Sequence, residues 1–297
     1  MRQEHPNGAF FGNVSQQIRL LVLLMIALDF QSVVGQNVTS SMPLFPSHRI
    51  DSWACVYSRM SVAELSSSPA ALLVIDPDFY SAEEIKSVKQ SRKIVLAYIS
   101  IGEAENYRSY FPKIKGKSYL GSENPSWKGN FMVEYSHPEW KRILCEYSQK
   151  IIEKGFDGLL FDVVDSWENH GTNSQTRSSM TGLIVSLAEF LRAKNPALIL
   201  LLQNSDRLFE NPKVMQLFNG LTQESLFYSW RAEHLSWHQQ RDKIARLRNL
   251  RQQGKFIGLL EYTRIKSNIT KCKTEAFSYG FIPYFSEKEL DRLFPIP

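Results

Sequence analysis

The sequence predicts an α/β fold, a single (β/α)8 TIM-like barrel preceded by a signal peptide. Three observations lead there. Short apolar, β-rich runs recur along the chain, and helical patterns lie between many of them, which is the signature of βα units on a parallel sheet. From Trp53 to the C-terminus there are 245 residues, against about 250 in a typical barrel of this kind. No GxGxxG opens a helix after any run, which counts against the alternative, a doubly wound dinucleotide-binding sheet.

The N-terminus reads as a targeting segment. Leu20–Leu28 is an apolar run preceded by Arg19 and interrupted by Asp29, with Val33 and Gly35 downstream. Nine residues are too few to span a bilayer, so residues 1–35 are expected to be a cleaved signal peptide rather than an anchor. Residues 36–50 carry Ser, Thr and Pro without period and are expected to be a linker or arm, leaving 51–297 as the barrel domain. The expected location is extracellular, with no stable membrane insertion after cleavage. Asn37-Val38-Thr39 and Asn268-Ile269-Thr270 then become glycosylation acceptors. The three cysteines, Cys55, Cys145 and Cys272, allow one disulfide and one free thiol, with the pair undetermined.

The strand candidates are Trp53–Tyr57, Ala71–Ile75, Ile94–Ile101, Phe131–Tyr135, Gly158–Phe161, Leu198–Leu202, Leu221–Glu224 and Phe256–Leu260, with Gly280–Tyr284 as a ninth. Nine exceeds the eight a barrel needs. Phe131–Tyr135 is the weakest of them, because a long irregular stretch precedes it. Ser81 with Glu84 forms a capping box at a helix start. Pro138–Lys154 places Trp140, Ile143, Leu144, Tyr147 and Ile151 at helical spacing, and Gly155 closes it. Met180–Lys194 repeats the pattern. Arg241, Lys243, Arg246, Arg248 and Arg251 surround an apolar stripe of Ile244, Leu247 and Leu250, an outer helix with a solvated face.

Polar residues stand at the end of nearly every apolar run. They are Asp76, then Glu103 and Glu105 with Arg108 just after, Asp162 and Asp165, Gln203-Asn204, Gln223-Glu224, and Glu261-Tyr262. In a barrel these ends meet on one face, where the chemistry of such folds is found. The chain has a net charge of +5, yet this rim is acidic, so the carboxylates are sorted to one place. Any one of them alone reads as a helix cap; the set reads as a site. Aromatic residues fall beside them, including Tyr57, Tyr98, Tyr107, Trp127, Trp230, Tyr262 and Tyr284. Ring faces with carboxylates and amides suit a sugar, although packing explains any single ring. Clustered carboxylates can also hold Ca²⁺ or Mg²⁺, or bind without reacting. No nucleic-acid motif or basic tail is present. His234 and His238 stand at i,i+4 without the Glu of a zinc-protease motif, and no GxSxG elbow occurs.

The stretches Tyr98-Ile-Ser-Ile-Gly-Glu-Ala-Glu-Asn-Tyr-Arg and Gly155-Phe-Asp-Gly-Leu-Leu-Phe-Asp-Val-Val-Asp resemble those of glycoside hydrolase family 114. So, more loosely, do Gln203-Asn204, Gln223-Glu224 and the segment from Gly280 to Asp291. The family's members are barrels and include endo-α-1,4-polygalactosaminidases. The resemblance implies that Asp162 and Glu224 hold the positions of the catalytic pair, and that no cofactor or metal is needed. It implies a polysaccharide of amino sugars as the partner, cut internally. Asp162 is then the nucleophile or base and Glu224 the acid/base, or the reverse. Asp76, Tyr98, Glu103, Trp127, Asp165, Gln203, Asn204, Glu261 and Tyr284 are expected to contact substrate. Arg108 either joins them or ties down a rim carboxylate. The family often carries Asp where this chain has Glu261. The competing expectations are a barrel that binds sugar without cleaving it, and a metal-dependent hydrolase.

Overall fold

The structure, a computed structural model, describes residues 50–169, 176–231 and 233–296. The expected signal peptide, nearly all of the expected arm and the Asn37 acceptor lie outside these residues.

Strands β1 (Trp53–Val56), β2 (Leu72–Ile75) and β3 (Ile94–Ser100) come first. An excursion then carries β4 (Glu103–Glu105), β5 (Leu120–Glu123) and β6 (Asn130–Val133). The chain continues with β7 (Gly158–Asp162), β8 (Ile199–Gln203), β9 (Gly220–Glu224), β10 (Phe256–Glu261) and β11 (Ile282–Phe285). Eight of these form one sheet in the order β1-β2-β3-β7-β8-β9-β10-β11. Every pairing between its neighbours is parallel. Helices alternate with the strands, as the sequence predicts.

The strand sequences are continuous apolar runs because both faces of the sheet are covered. All four residues of β1 and of β2 are buried, as are all six of β10. The two ends of the sheet meet through side chains. Trp53 Nε1 donates to the Ile282 carbonyl at 2.8 Å, and the Trp53 and Tyr284 rings lie 5.9 Å apart. Trp53 fits there because residue 258 is glycine: a Cβ on Gly258 would stand 2.9 Å from the indole. Tyr57 N–H donates to Leu290 O at 2.7 Å and fastens the chain after β11 to the end of β1.

The helices follow their predicted caps and faces. Ser81 and Glu84 close the capping box of helix Ala82–Gln90. Helix Pro138–Glu153 buries Trp140, Ile143, Leu144, Tyr147 and Ile151. Gly155, just beyond it, takes the left-handed backbone at φ 91°. Helix Trp237–Gln252 buries Ile244, Leu247 and Leu250, and Arg246 on its basic side pairs with buried Asp206. His234 precedes that helix and bridges to Tyr228, so His234 and His238 do not share a helical face.

The Phe131–Tyr135 candidate is the one too many, and it corresponds to β6. Asn130–Val133 does not enter the barrel. It pairs antiparallel with β4 and β5 in a separate three-stranded sheet. Only Val133 of β6 is fully buried, so this run packs on one side, which an apolar run of four cannot reveal. The eighth barrel strand is Ile282–Phe285. The three cysteines are all free thiols, Cys55 and Cys272 buried and Cys145 partly so.

Candidate active site

The carboxyl ends of the barrel strands open into a cavity of about 400 Å³. Tyr57 follows β1, Asp76 follows β2, Tyr98 lies in β3, Asp162 ends β7, Asn204 follows β8, Glu224 ends β9 and Tyr262 follows β10; all line the cavity. Lys288 and Leu290, after β11, complete the circuit. The β4–β6 excursion adds Glu103, Glu105, Tyr107, Asn124, Trp127 and Asn130 from one side.

Sharp backbone turns aim three of these groups. Val163, Asn204 and Ser225, each just past the last residue of a strand, have φ of 57°, 65° and 49°. Asn tolerates this left-handed region, but a β-branched residue such as Val163 does so only under strain of about 1–3 kcal/mol. The turn after Asp162 is accommodated by Gly102, where a Cβ would stand 2.3 Å from Val163 O. Val163 N–H in turn donates to Asp162 Oδ1 at 2.7 Å.

The two central carboxyls have different surroundings. Glu224 accepts Asn204 Nδ2 at 2.7 Å on one oxygen and the Tyr262 hydroxyl on the other. Asn204 is itself oriented by the Glu224 N–H, which donates to its Oδ1 at 2.9 Å. Burial and the Glu224 charge keep the Tyr262 phenol neutral, so it acts as a donor. Asp162, like Glu224, is partly buried. Burial first, then the charges of Glu224 and Asp165, hold its carboxyl well above the usual carboxylate range. Asp165 is pushed up to about 6, mainly by burial and then by Glu224. Asp162, whose carboxyl is held above the usual range, thus shares a cavity with Glu224, both of whose oxygens accept a side-chain donor.

Around this pair, Glu103 accepts Asn124 Nδ2 at 2.7 Å and Asn130 Nδ2 at 3.3 Å. The Tyr57 and Tyr98 rings pack 4.5 Å apart. Asp165, Asn204 and Trp127 line the same space.

Four residues expected to contact substrate lie elsewhere. Arg108 is buried beneath the cavity. Its Nη1 donates to Asp76 at 2.6 Å and to Asp78 at 3.1 Å, and its Nε to Glu105 at 2.7 Å. Of its two expected roles it takes the second, tying down rim carboxylates. Glu261 is wholly buried and turned toward the chain following Glu224. It accepts the N–H groups of Leu226 (3.1 Å), Phe227 (3.0 Å) and Tyr228 (2.8 Å). Gln203 is buried at the end of β8, where it accepts the Thr222 hydroxyl. Tyr284 packs in the core against Trp53, and its hydroxyl accepts Phe294 N–H at 3.2 Å. A strand alternates its side chains, so neighbouring positions at one strand end face opposite ways. Asn124, Asn130 and Lys288 entered the cavity without any strand-end signal, because they come from loops and from the small sheet. Tyr57 and Tyr262 were visible as strand-end aromatics.

Comparison with known proteins gives the family and agrees with the fold. The profile of glycoside-hydrolase family GH114 matches residues 35–297. An uncharacterized protein of Methanocaldococcus jannaschii is 35% identical over 268 residues, covering 81% of this chain and 77% of that protein. The glycoside hydrolase domain of PelA from Pseudomonas aeruginosa shares the fold with a TM-score of 0.68 at 19% identity, over 82% of this chain and 97% of that one. Aspergillus fumigatus Ega3, crystallised in complex with galactosamine, does so with a TM-score of 0.68 at 19% identity, over 84% and 94%.

Proposed function

The chain belongs to glycoside-hydrolase family GH114, and from that premise we propose that it cleaves an α-1,4-linked, galactosamine-containing polysaccharide internally, with Asp162 and Glu224 as the reacting carboxyl pair. The observation that carries this reading is their opposed environments at the ends of β7 and β9. Glycoside hydrolysis needs one carboxyl that is protonated, to donate to the leaving oxygen, and one that is ionised, to attack the anomeric carbon or to activate water. The upward push on the Asp162 carboxyl and the two donors on Glu224 suit that division.

The lining supports an amino sugar. Glu103 and Asp165 give an acidic wall beside the pair, which favours a sugar carrying an ammonium over a neutral or anionic one. Tyr57, Tyr98 and Trp127 present ring faces for the apolar side of a pyranose. Galactosamine in complex with Ega3, a protein of the same fold, supports the same class. A cavity open to solvent at its rim suits entry of a chain along its length rather than at its end.

The test is product release from partly and fully deacetylated galactosamine polymers by the wild type, Asp162→Asn and Glu224→Gln. Cleavage by the wild type and loss in both variants is the expected result. Azide should restore turnover in one variant with inverted and in the other with retained stereochemistry, which assigns nucleophile and acid. Cleavage surviving in either variant would name a different carboxylate. Binding without turnover by the wild type would make this a sugar-binding barrel.

Export is part of the same reading. The apolar run Leu20–Leu28 supports it, as does the acceptor at Asn268, which is partly exposed in the first turn of helix Lys266–Ser278. Among the described residues no helix is long and apolar enough to cross a membrane. A mass decrease on enzymatic deglycosylation, absent in Asn268→Gln, would locate the glycan.

A further inference from the structure

At the mouth of the cavity two exposed indoles converge on one ammonium. Trp127, in the turn between β5 and β6, is 48% exposed, and Trp230, in the loop after β9, is 52% exposed. Lys288 comes from the segment after β11. Its Nζ lies 4.8 Å from the Trp127 ring centroid and 4.9 Å from that of Trp230. An indole face attracts a cation within about 6 Å, so one ammonium serves both rings, and the Arg231 guanidinium lies 4.5 Å from the Trp230 centroid as a second cation on that ring. Three segments far apart in sequence meet at this point, and Trp127 and Lys288 line the same cavity as Asp162 and Glu224.

The segment that carries Lys288 is anchored on both sides. Phe285 and Ser286 are buried before it, and buried Leu290 accepts the Tyr57 N–H after it. The backbone is therefore held, while the lysine side chain remains a long flexible stem whose head hydrates well in water. Displacing that head exchanges one cation on the rings for another and breaks no backbone hydrogen bond.

We propose that Trp127 and Trp230 form a binding subsite for an ammonium-bearing sugar unit of the chain, separate from the reacting pair, and that Lys288 fills it until substrate displaces it. The proposal rests on the amino-sugar reading above. A protonated amino sugar replaces the cation it expels and adds a pyranose face against the indoles. A neutral N-acetylated unit must expel a cation and offers none in return. Lys288 thus lowers affinity for every chain and discriminates against neutral ones.

The test uses the full-length protein with Asp162→Asn to prevent turnover, a fully deacetylated galactosamine hexamer, and intrinsic tryptophan fluorescence. Adding Lys288→Ala should tighten hexamer binding about tenfold, the scale of a well-formed cation–π contact. Further adding Trp127→Ala or Trp230→Ala should abolish that gain. Unchanged or weaker binding in Lys288→Ala would overturn the proposal. Tetramethylammonium chloride separates this failure from that of the polysaccharide reading. If no form binds the hexamer, the substrate class is wrong, and the cation titration still reports on the rings. Saturable quenching that strengthens in Lys288→Ala and disappears on adding Trp230→Ala supports the cation subsite; quenching indifferent to these substitutions overturns it.

Discussion

The Tyr262 hydroxyl donates to Glu224 on the oxygen that Asn204 leaves free, so both oxygens of this carboxylate are held. Two donors fix its plane as well as its charge, and a charged hydrogen bond of this kind contributes about 1.5–3 kcal/mol. Tyr262→Phe removes one donor without changing the ring that packs at the end of β10. Its kcat should fall about 10- to 100-fold, with KM and melting temperature little changed. Steady-state kinetics beside a thermal melt checks this, and a wild-type kcat would show that the contact is incidental.

Asp162 is held above the usual carboxylate range by burial, by Glu224 and by Asp165. Asp165→Asn removes the last of these charges while preserving shape. The pKa of Asp162 then falls, because a like charge nearby disfavours ionisation. The alkaline limb of the pH profile of kcat/KM, along which the acid loses its proton, should move to lower pH in Asp165→Asn. A shift to higher pH, or none, would mean that Asp165 does not act on the pair through its charge.

Glu261 is pushed up to about 8, by burial first and against the pull of the Tyr228, Phe227 and Leu226 amides. Its native pKa exceeds its unfolded value of about 4.3, so between these two pH values the native state binds the extra proton. Stability contributed by this group is complete below about pH 4 and is lost as pH rises toward 8. Glu261→Gln should erase that decline. It should also destabilise by about 1–3 kcal/mol, because the amide N–H₂ takes the place of an oxygen that accepts two backbone N–H groups. Denaturant midpoints at pH 5 and pH 8 for both proteins measure the two effects.

Arg108 neutralises Asp76 and Glu105 where all three are buried, and reaches the partly exposed Asp78. Arg108→Met leaves two carboxyls without their counter-ion. The expected loss is about 3–5 kcal/mol, since breaking a buried ion network strands the remaining charge. Arg108→Lys keeps the charge but gathers its donors on one nitrogen, whereas the guanidinium reaches Glu105 from Nε and Asp76 from Nη1, and should recover only part of it. Urea unfolding of the three proteins gives the order wild type, Lys, Met; equal stability of Met and wild type would refute the role.

Val163 holds a left-handed backbone immediately after Asp162. Glycine adopts that conformation without strain but is freer in the unfolded chain. Val163→Gly should therefore stabilise by about 1 kcal/mol at most, while kcat falls as the turn loses its grip on Asp162. A variant that is less stable and fully active would contradict both halves.

The barrel itself was legible in the sequence. Runs such as Leu72–Ile75 and Phe256–Glu261 are apolar throughout because both of their faces are covered, and their spacing by helical segments admits few topologies. Asp162 and Glu224 were legible for the same reason: they end such runs, and barrel geometry brings strand ends together. The Phe131–Tyr135 run, the weakest candidate, lies in the small sheet because a short apolar run such as Phe131–Val133 looks alike in a half-covered hairpin and in a barrel.

What the sequence by itself determined was therefore the fold and which strand ends carry polar groups. Tertiary structure alone decided which of those groups face the cavity. Glu261 and Tyr262 are adjacent, yet one turns to the amides of the next loop and the other to Glu224. Gln203 and Asn204 divide in the same way. Direction at a strand end depends on one residue of register and on the backbone angle of the turn that follows. Both are set by packing against distant segments, so neither is written in local pattern. The meeting of Trp127, Trp230 and Lys288 has the same origin, since their three loops are brought together only when the barrel closes.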